Sequence, residues 1–154
     1  KSHILRIIRE LISFEPQTQG TNIGEALRYL TNAIKKKSTA FLLSDFLDDK
    51  NYENALKVAN KKHDLISLRI YDRLQEDLPN IGLVPFYDPE SGSTVLVDTS
   101  SKSVRTDYNL NSRIQREGLF DQFKKAGIDY ANISTQDNYV RPLMNLFKKR
   151  ERRR

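Results

Sequence analysis

The chain has 154 residues, no cysteine and a formal net charge of +6, with 38% of residues apolar and 30% charged. That length suits one domain with a buried core needing neither disulfide nor structural metal, and the missing cysteine excludes a disulfide scaffold, a thiolate metal site and a cysteine nucleophile. No apolar run approaches the roughly 20 residues that span a bilayer, and no signal-peptide pattern opens the chain; with cysteine absent, a reducing, cytoplasmic location is expected.

The positive charge is local. Residues 148–154, KKRERRR, hold six of the 26 basic residues and one of the 20 acidic ones, so the rest of the chain is nearly balanced. The division expected is a domain over residues 1–147 and a basic tail over 148–154. A tail without interleaved aromatic residues favours solvated charge over specific nucleic-acid binding. Lys148, Lys149, Arg150, Arg152, Arg153 and Arg154 are the candidate contacts to an anionic partner, expected to fray into solvent.

The chain starts at Lys1 and enters a helical pattern at once, which predicts a piece of a longer protein. Ile4, Leu5, Ile8, Leu11 and Ile12 share a helix face that Phe14-Glu15-Pro16 ends. After the link QTQGTN, Ile23, Ala26, Leu27, Leu30, Ala33 and Ile34 mark a second helix, with Asn22 and Glu25 spaced as a capping box. Thr39 to Ser44, with four consecutive apolar residues, predicts a strand covered on both faces. A helix over about 51–62, with Tyr52, Ala55, Leu56 and Ala59 inward, leads into a strand at 64–71.

Residues 72–82 are irregular. Leu83–Tyr87 and Thr94–Asp98, joined by DPESGS, predict a β-hairpin. A long helix over about 103–126, with a kink anticipated at Gly118, precedes a third core strand at 128–134. The last helix, about 138–150, puts Tyr139, Val140, Leu143, Met144 and Phe147 on one face, with Pro142 in its first turn. Strands separated by helices imply right-handed crossovers and a parallel sheet. Three such strands are few for this architecture, so the prediction is part of a doubly wound α/β domain carrying an inserted hairpin.

Side chains at the carboxyl end of a parallel strand open into the crevice where such sheets bind ligands. Asp45 follows the first strand, and Thr21 precedes the helix that leads into it. A hydroxyl and a carboxylate on neighbouring loops are hard oxygen donors suited to a magnesium-like ion; alternatively both serve as caps and turns. Asp48-Asp49 with Asp45 could serve acid and base chemistry, but it reads as a solvated loop or helix cap, because nothing nearby supplies a nucleophile and neighbours in sequence point apart. His3 and His63, without a second histidine at ligand spacing, read as surface residues. GTNIG, Gly20 to Gly24, opens a helix and so has anion-binding character, but it matches neither the phosphate-loop nor the dinucleotide fingerprint.

Together GTNIGEAL, FLLSDFLD, ALKVANKKHDLISLRIYD, VDTSSKSVR and GIDYANISTQDNYVRPLMNLFKKR resemble, from residue 1 to about 150, the bacterial family catalogued as domain of unknown function 58. The resemblance implies a von Willebrand factor A-like, Rossmann-like domain, of which this chain is the carboxyl-terminal part, and a protein partner, a MoxR-type AAA+ ATPase. In von Willebrand A domains a metal-ion-dependent adhesion site joins an Asp-x-Ser-x-Ser loop, a threonine loop and an aspartate loop. Thr21 matches the second and Asp45 the third. The first has no match: Asp98-Thr99-Ser100-Ser101-Lys102 has the wrong pattern and follows a hairpin strand.

The expectation is therefore a non-catalytic protein-interaction module, metal-assisted in the complete protein, with magnesium absent from this piece alone. The alternatives are a metal-dependent phosphoryl-transfer or hydrolytic enzyme using Asp45, and an anionic-polymer binder using the tail. A strand 39–44 deprived of a neighbour would present an open edge, to be covered either by a second copy in a homodimer paired through it or by helix 4–12 and its link folding across the gap.

Overall fold

The computed structural model describes residues 2–15, 20–87 and 92–153. Lys1, part of the link after Phe14-Glu15, the DPES segment of the hairpin connection and Arg154 lie outside them. The elements run α1 (Ser2–Ser13), α2 (Ile23–Ala33), β1 (Thr39–Ser44), α3 (Glu53–Lys62), β2 (Asp64–Tyr71), a 3-10 turn at Arg73–Gln75, β3 (Leu83–Tyr87), β4 (Thr94–Asp98), α4 (Lys102–Lys125), β5 (Asp129–Ser134) and α5 (Val140–Glu151). The helix α4 is assigned without interruption through Gly118.

β1, β2 and β5 form a parallel sheet in the order β1-β2-β5, with Thr39 opposite Asp64 and Ile66 opposite Asp129. β3 and β4 form a separate antiparallel pair with Pro85 opposite Leu96. Alternate side chains leave a strand on opposite faces, and the sheet has a core on each. One contains Leu65, Leu56, Ala59, Leu27 and Phe123 from β2, α3, α2 and α4. The other contains Ile66, Leu68, Ala131, Ile133 and Leu146, where α5 packs on β2 and β5. Each fully buried Leu, Ile or Phe side chain contributes about 1.5–3 kcal/mol, so both layers are needed to hold β2.

Four expectations require correction. β1 is not covered on both faces: its exposure alternates, with Phe41 48% and Leu43 60% exposed. The consecutive apolar residues suggested full burial, but β1 is the terminal strand of the sheet, and only Ala40 and Leu42 pack against the first core. His63 is not a surface residue; it is 1% exposed, and its Nδ1 lies 3.1 Å from Ser38 Oγ across the turn into β2. The inward face of α5 is Leu143 and Leu146, whereas Tyr139, Val140 and Met144 are exposed.

The fourth correction concerns the tail. α5 continues through Lys148, Lys149 and Arg150 to Glu151, and its last turn is fastened to the sheet. Arg150 Nη1 donates to Asp129 Oδ2 at 2.8 Å and Nη2 donates to Asp64 Oδ2, while Arg153 Nη1 donates to Asp129 Oδ1 at 2.8 Å. The amino-terminal ends of β2 and β5 thereby neutralise two cations assigned to the tail. Lys148, Lys149 and Arg152 remain exposed. The apolar residues Ile4, Leu5, Ile8, Leu11 and Ile12 of α1 are also solvent-exposed. No helix among the described residues is long and apolar enough to cross a membrane.

Candidate functional site

At the carboxyl end of β1 the chain makes a tight turn. Ser44 Oγ accepts from Phe46 N at 3.0 Å, and Asp45 Oδ1 accepts from Leu47 N at 3.2 Å. Phe46 takes φ 63°, a left-handed conformation costly for a bulky side chain. Its ring is buried edge-on against Phe123 of α4, centroids 5.0 Å apart, so core packing holds the turn.

Three residues on, Asp48 Oδ2 accepts from Ile23 N at 2.8 Å, and its Oδ1 accepts from Lys50 N at 2.9 Å. A carboxylate at the amino end of α2 also meets the favourable end of the helix dipole. Asn22 Oδ1 accepts from Glu25 N at 2.9 Å, and Lys50 Nζ donates to the Thr21 carbonyl at 3.2 Å. Asp48 is thus the helix cap anticipated for the acidic pair, acting across the fold on α2. These contacts take up the Ile23 and Glu25 amides in the first turn of α2.

The lashing brings Thr21 and Asp45 to one cavity of about 710 Å³ at the carboxyl edge of the sheet. Asp45, Asp48 and Asp49 line it together with Thr21. Among the described residues, the Thr21 hydroxyl and Asp45 Oδ2 have no hydrogen-bond partner. Two hard oxygens, one of them anionic, suit magnesium but fill only part of its six-ligand shell. No group of three His, Cys, Asp or Glu side chains among the described residues is arranged to complete it. Asp98-Thr99 is occupied elsewhere: buried Thr99 Oγ1 donates to the Gly82 carbonyl at 2.7 Å and accepts from Ile81 N at 3.0 Å, closing the base of the hairpin.

The opposite chemistry on the cavity wall comes from residues that the sequence reading passed over. Arg69 of β2 and Arg116 of α4 line it, with Gln75, Gln115 and Gln122. Asp72 caps the 3-10 turn, Oδ1 accepting from Leu74 N at 2.8 Å, and so swings Glu76 back towards the sheet. Glu76 Oε1 then accepts from Arg69 Nη1 and Oε2 from Arg116 Nη1, each at 2.6 Å. Arg69 also donates to Asn132 Oδ1 at 3.0 Å and lies 4.7 Å from the Tyr71 ring centroid. Burial, followed by the nearby Glu76 charge, raises the Tyr71 phenol above its ordinary pKa.

These features define an α/β domain with a polar, two-signed cleft at the carboxyl edge of a parallel sheet. The chain belongs to the family described as Protein of unknown function DUF58, whose model matches residues 1–118, from α1 into α4. It is similar to an uncharacterized protein of Mycobacterium avium, MAV169, at 22% identity over 131 residues, covering 85% of this chain and 77% of that one. It is similar also to the uncharacterized protein Rv1480 of Mycobacterium tuberculosis, at 21% identity over 85% of this chain but only 41% of that protein. The chain therefore spans less than half of that longer relative. In fold it resembles the crystal structure of conserved hypothetical protein BatB from Bacteroides thetaiotaomicron, with TM-score 0.55 and 15% identity over 98% of this chain and 70% of that one.

Proposed function

We propose that this chain is the carboxyl-terminal part of a von Willebrand A-like domain and acts as a non-catalytic protein-interaction module. In the complete protein Thr21 and Asp45 would help hold a magnesium ion that bridges to a carboxylate of the partner, with the remaining ligands coming from outside this chain. The observation that carries the reading is the convergence of the Thr21 and Asp45 loops on one cavity at the carboxyl edge of the sheet. Hard oxygen donors and a shell left open to an outside ligand are what a cation-bridged contact requires. Family membership and the stated resemblance nominate a MoxR-type AAA+ ATPase as the partner, and its need for ATP nominates the cytoplasm as the place of encounter. The open edge of β1 is, on the same reading, a surface for self-association.

The test is copurification of the full-length protein with cellular ATPases, in magnesium and in EDTA, alongside Thr21→Ala and Asp45→Ala. Magnesium-dependent retention, reduced at least tenfold by Asp45→Ala and without turnover of a generic phosphoester, is the expected result. Retention indifferent to both EDTA and Asp45→Ala would remove the cation from the reading. Phosphoester turnover abolished by Asp45→Ala would make the protein an enzyme instead.

A further inference from the structure

Glu76 is shared by two guanidinium groups. Each contributes a single nitrogen, Nη1, so neither pair is the two-bond fork that a guanidinium makes with its own carboxylate. The side chains of Arg69, Glu76 and Arg116 are 8%, 14% and 29% exposed. Two positive charges therefore stand on one negative charge in a largely desolvated cluster. Among the described residues no second carboxylate forms an ion pair with either arginine, and Arg116 Nε and Nη2 have no protein acceptor.

An unpaired positive charge in a low-dielectric setting attracts an anion more strongly than one in water does. Here it lines a cavity that Asp45, Asp48 and Asp49 line as well. Those carboxylates oppose any incoming anion, and oppose it more the greater its charge. A phosphate dianion overshoots the single missing charge and is repelled by the acidic wall, whereas a carboxylate supplies that charge and no more. The volume of about 710 Å³ exceeds the needs of a lone carboxylate and accommodates a short peptide segment, with Gln75, Gln115 and Gln122 among the lining residues to hydrogen-bond its backbone.

We infer that this wall anchors a single aspartate or glutamate side chain of an otherwise uncharged segment in a protein partner. Arg116 is the anchoring group; Arg69 and Glu76 are positioning residues that hold its guanidinium. The inference rests on the reading of the chain as an interaction module, but the anchor itself requires no metal.

The probe is the blocked tripeptide acetyl-Ala-Glu-Ala-amide, titrated into the isotope-labelled 154-residue chain, with the Gln tripeptide and inorganic phosphate as comparisons. NMR shifts of the Arg116 Nε–H and the Gln115 amides give the readout. The Glu peptide should bind at least about tenfold more tightly than the Gln peptide, equally in EDTA and in magnesium. Arg116→Gln should erase that preference, and Arg116→Lys should retain part of it. Glu76→Gln, which removes the shared negative charge but keeps an oxygen acceptor, should tighten the Glu peptide several-fold, an effect that a merely structural role would not produce.

Equal affinity for the two peptides overturns the inference, as does tighter binding of phosphate than of the Glu peptide. Should Arg116→Gln fail to fold, the Glu76→Gln and Arg116→Lys titrations decide it. Binding that vanishes in EDTA would transfer the carboxylate to the cation, defeating the anchor while leaving the magnesium reading intact. Conversely, a failed magnesium-dependent copurification leaves this result untouched.

Discussion

Phe46 permits a test in which the smaller residue is expected to be the better tolerated. Its ring is buried and edge-on to Phe123, while its backbone is left-handed at φ 63°. Phe46→Ala removes the ring and should cost about 3–5 kcal/mol, of which about 0.5–1.5 kcal/mol is the aromatic pair. It leaves the left-handed penalty, roughly 1–2 kcal/mol for a residue with a Cβ. Phe46→Gly escapes that penalty but adds roughly 0.5–1 kcal/mol of backbone entropy to the unfolded chain. The glycine variant should therefore be about 0.5–1 kcal/mol more stable than the alanine variant. At about 2–4 °C per kcal/mol for a chain of this size, alanine lowers Tm by roughly 6–20 °C, and glycine recovers about 1–4 °C of that. The chain has no tryptophan, so far-UV circular dichroism in thermal and urea unfolding is the suitable assay. A glycine variant no more stable than the alanine one would refute the claim that packing against Phe123 holds a strained turn beside Asp45.

Arg150→Ala should destabilise the domain by about 2–3 kcal/mol, because it strips a bridge between Asp64 and Asp129, whereas Arg152→Ala, on an exposed side chain, should change urea midpoints little; equal effects would mean that α5 is not fastened by Arg150. Burial, then the Asp48 charge, pushes Tyr52 up to about 12 from 10.0. A phenol with a raised folded pKa contributes stability that is complete below pH 10 and lost as pH climbs towards 12, so alkaline unfolding should be shallower in Tyr52→Phe; an unchanged alkaline limb would assign the loss to other groups. Light scattering should reveal a dimer that Phe41→Lys with Leu43→Lys disperses, since both project from the open-edge strand; a monodisperse monomer at high concentration would sink the edge pairing.

What the sequence made legible follows the range of the forces involved. Strand and helix positions depend on periodicity within a dozen residues, and β2, the hairpin and α4 were readable to within a residue or two. Thr21 and Asp45 could be assigned to one end of the sheet because the geometry of parallel crossovers constrains it. The direction of α5 was misread because five apolar residues offered two overlapping faces, and only the sheet's position selects Leu146. The arginine cluster was invisible for a different reason: Glu76 lies seven positions from Arg69 and forty from Arg116, with a turn and a hairpin between. One signal was available. An arginine inside the apolar run DLISLRIY must find a buried partner or leave the strand, and that demand pointed to β2 as well as to the loop after β1.

Two pairings of unequal reach build the sheet. Thr39 and Asp64 are joined through α3 across 25 positions, whereas Ile66 meets Asp129 only across 63, with the hairpin and α4 intervening. The longer closure costs about 0.8 kcal/mol more in chain entropy, so β1-α3-β2 is the cheaper nucleus and β5 joins an existing template. The acidic side of the cleft is carried by the early unit and Arg116 by the late one. On this order the cleft is a seam between two steps of assembly, and release of α4 and β5 with β1 and β2 still paired is the opening it predicts. Hydrogen exchange should record that seam as a difference in protection between Leu42 and Ala131 amides, with β5 exchanging through the smaller opening.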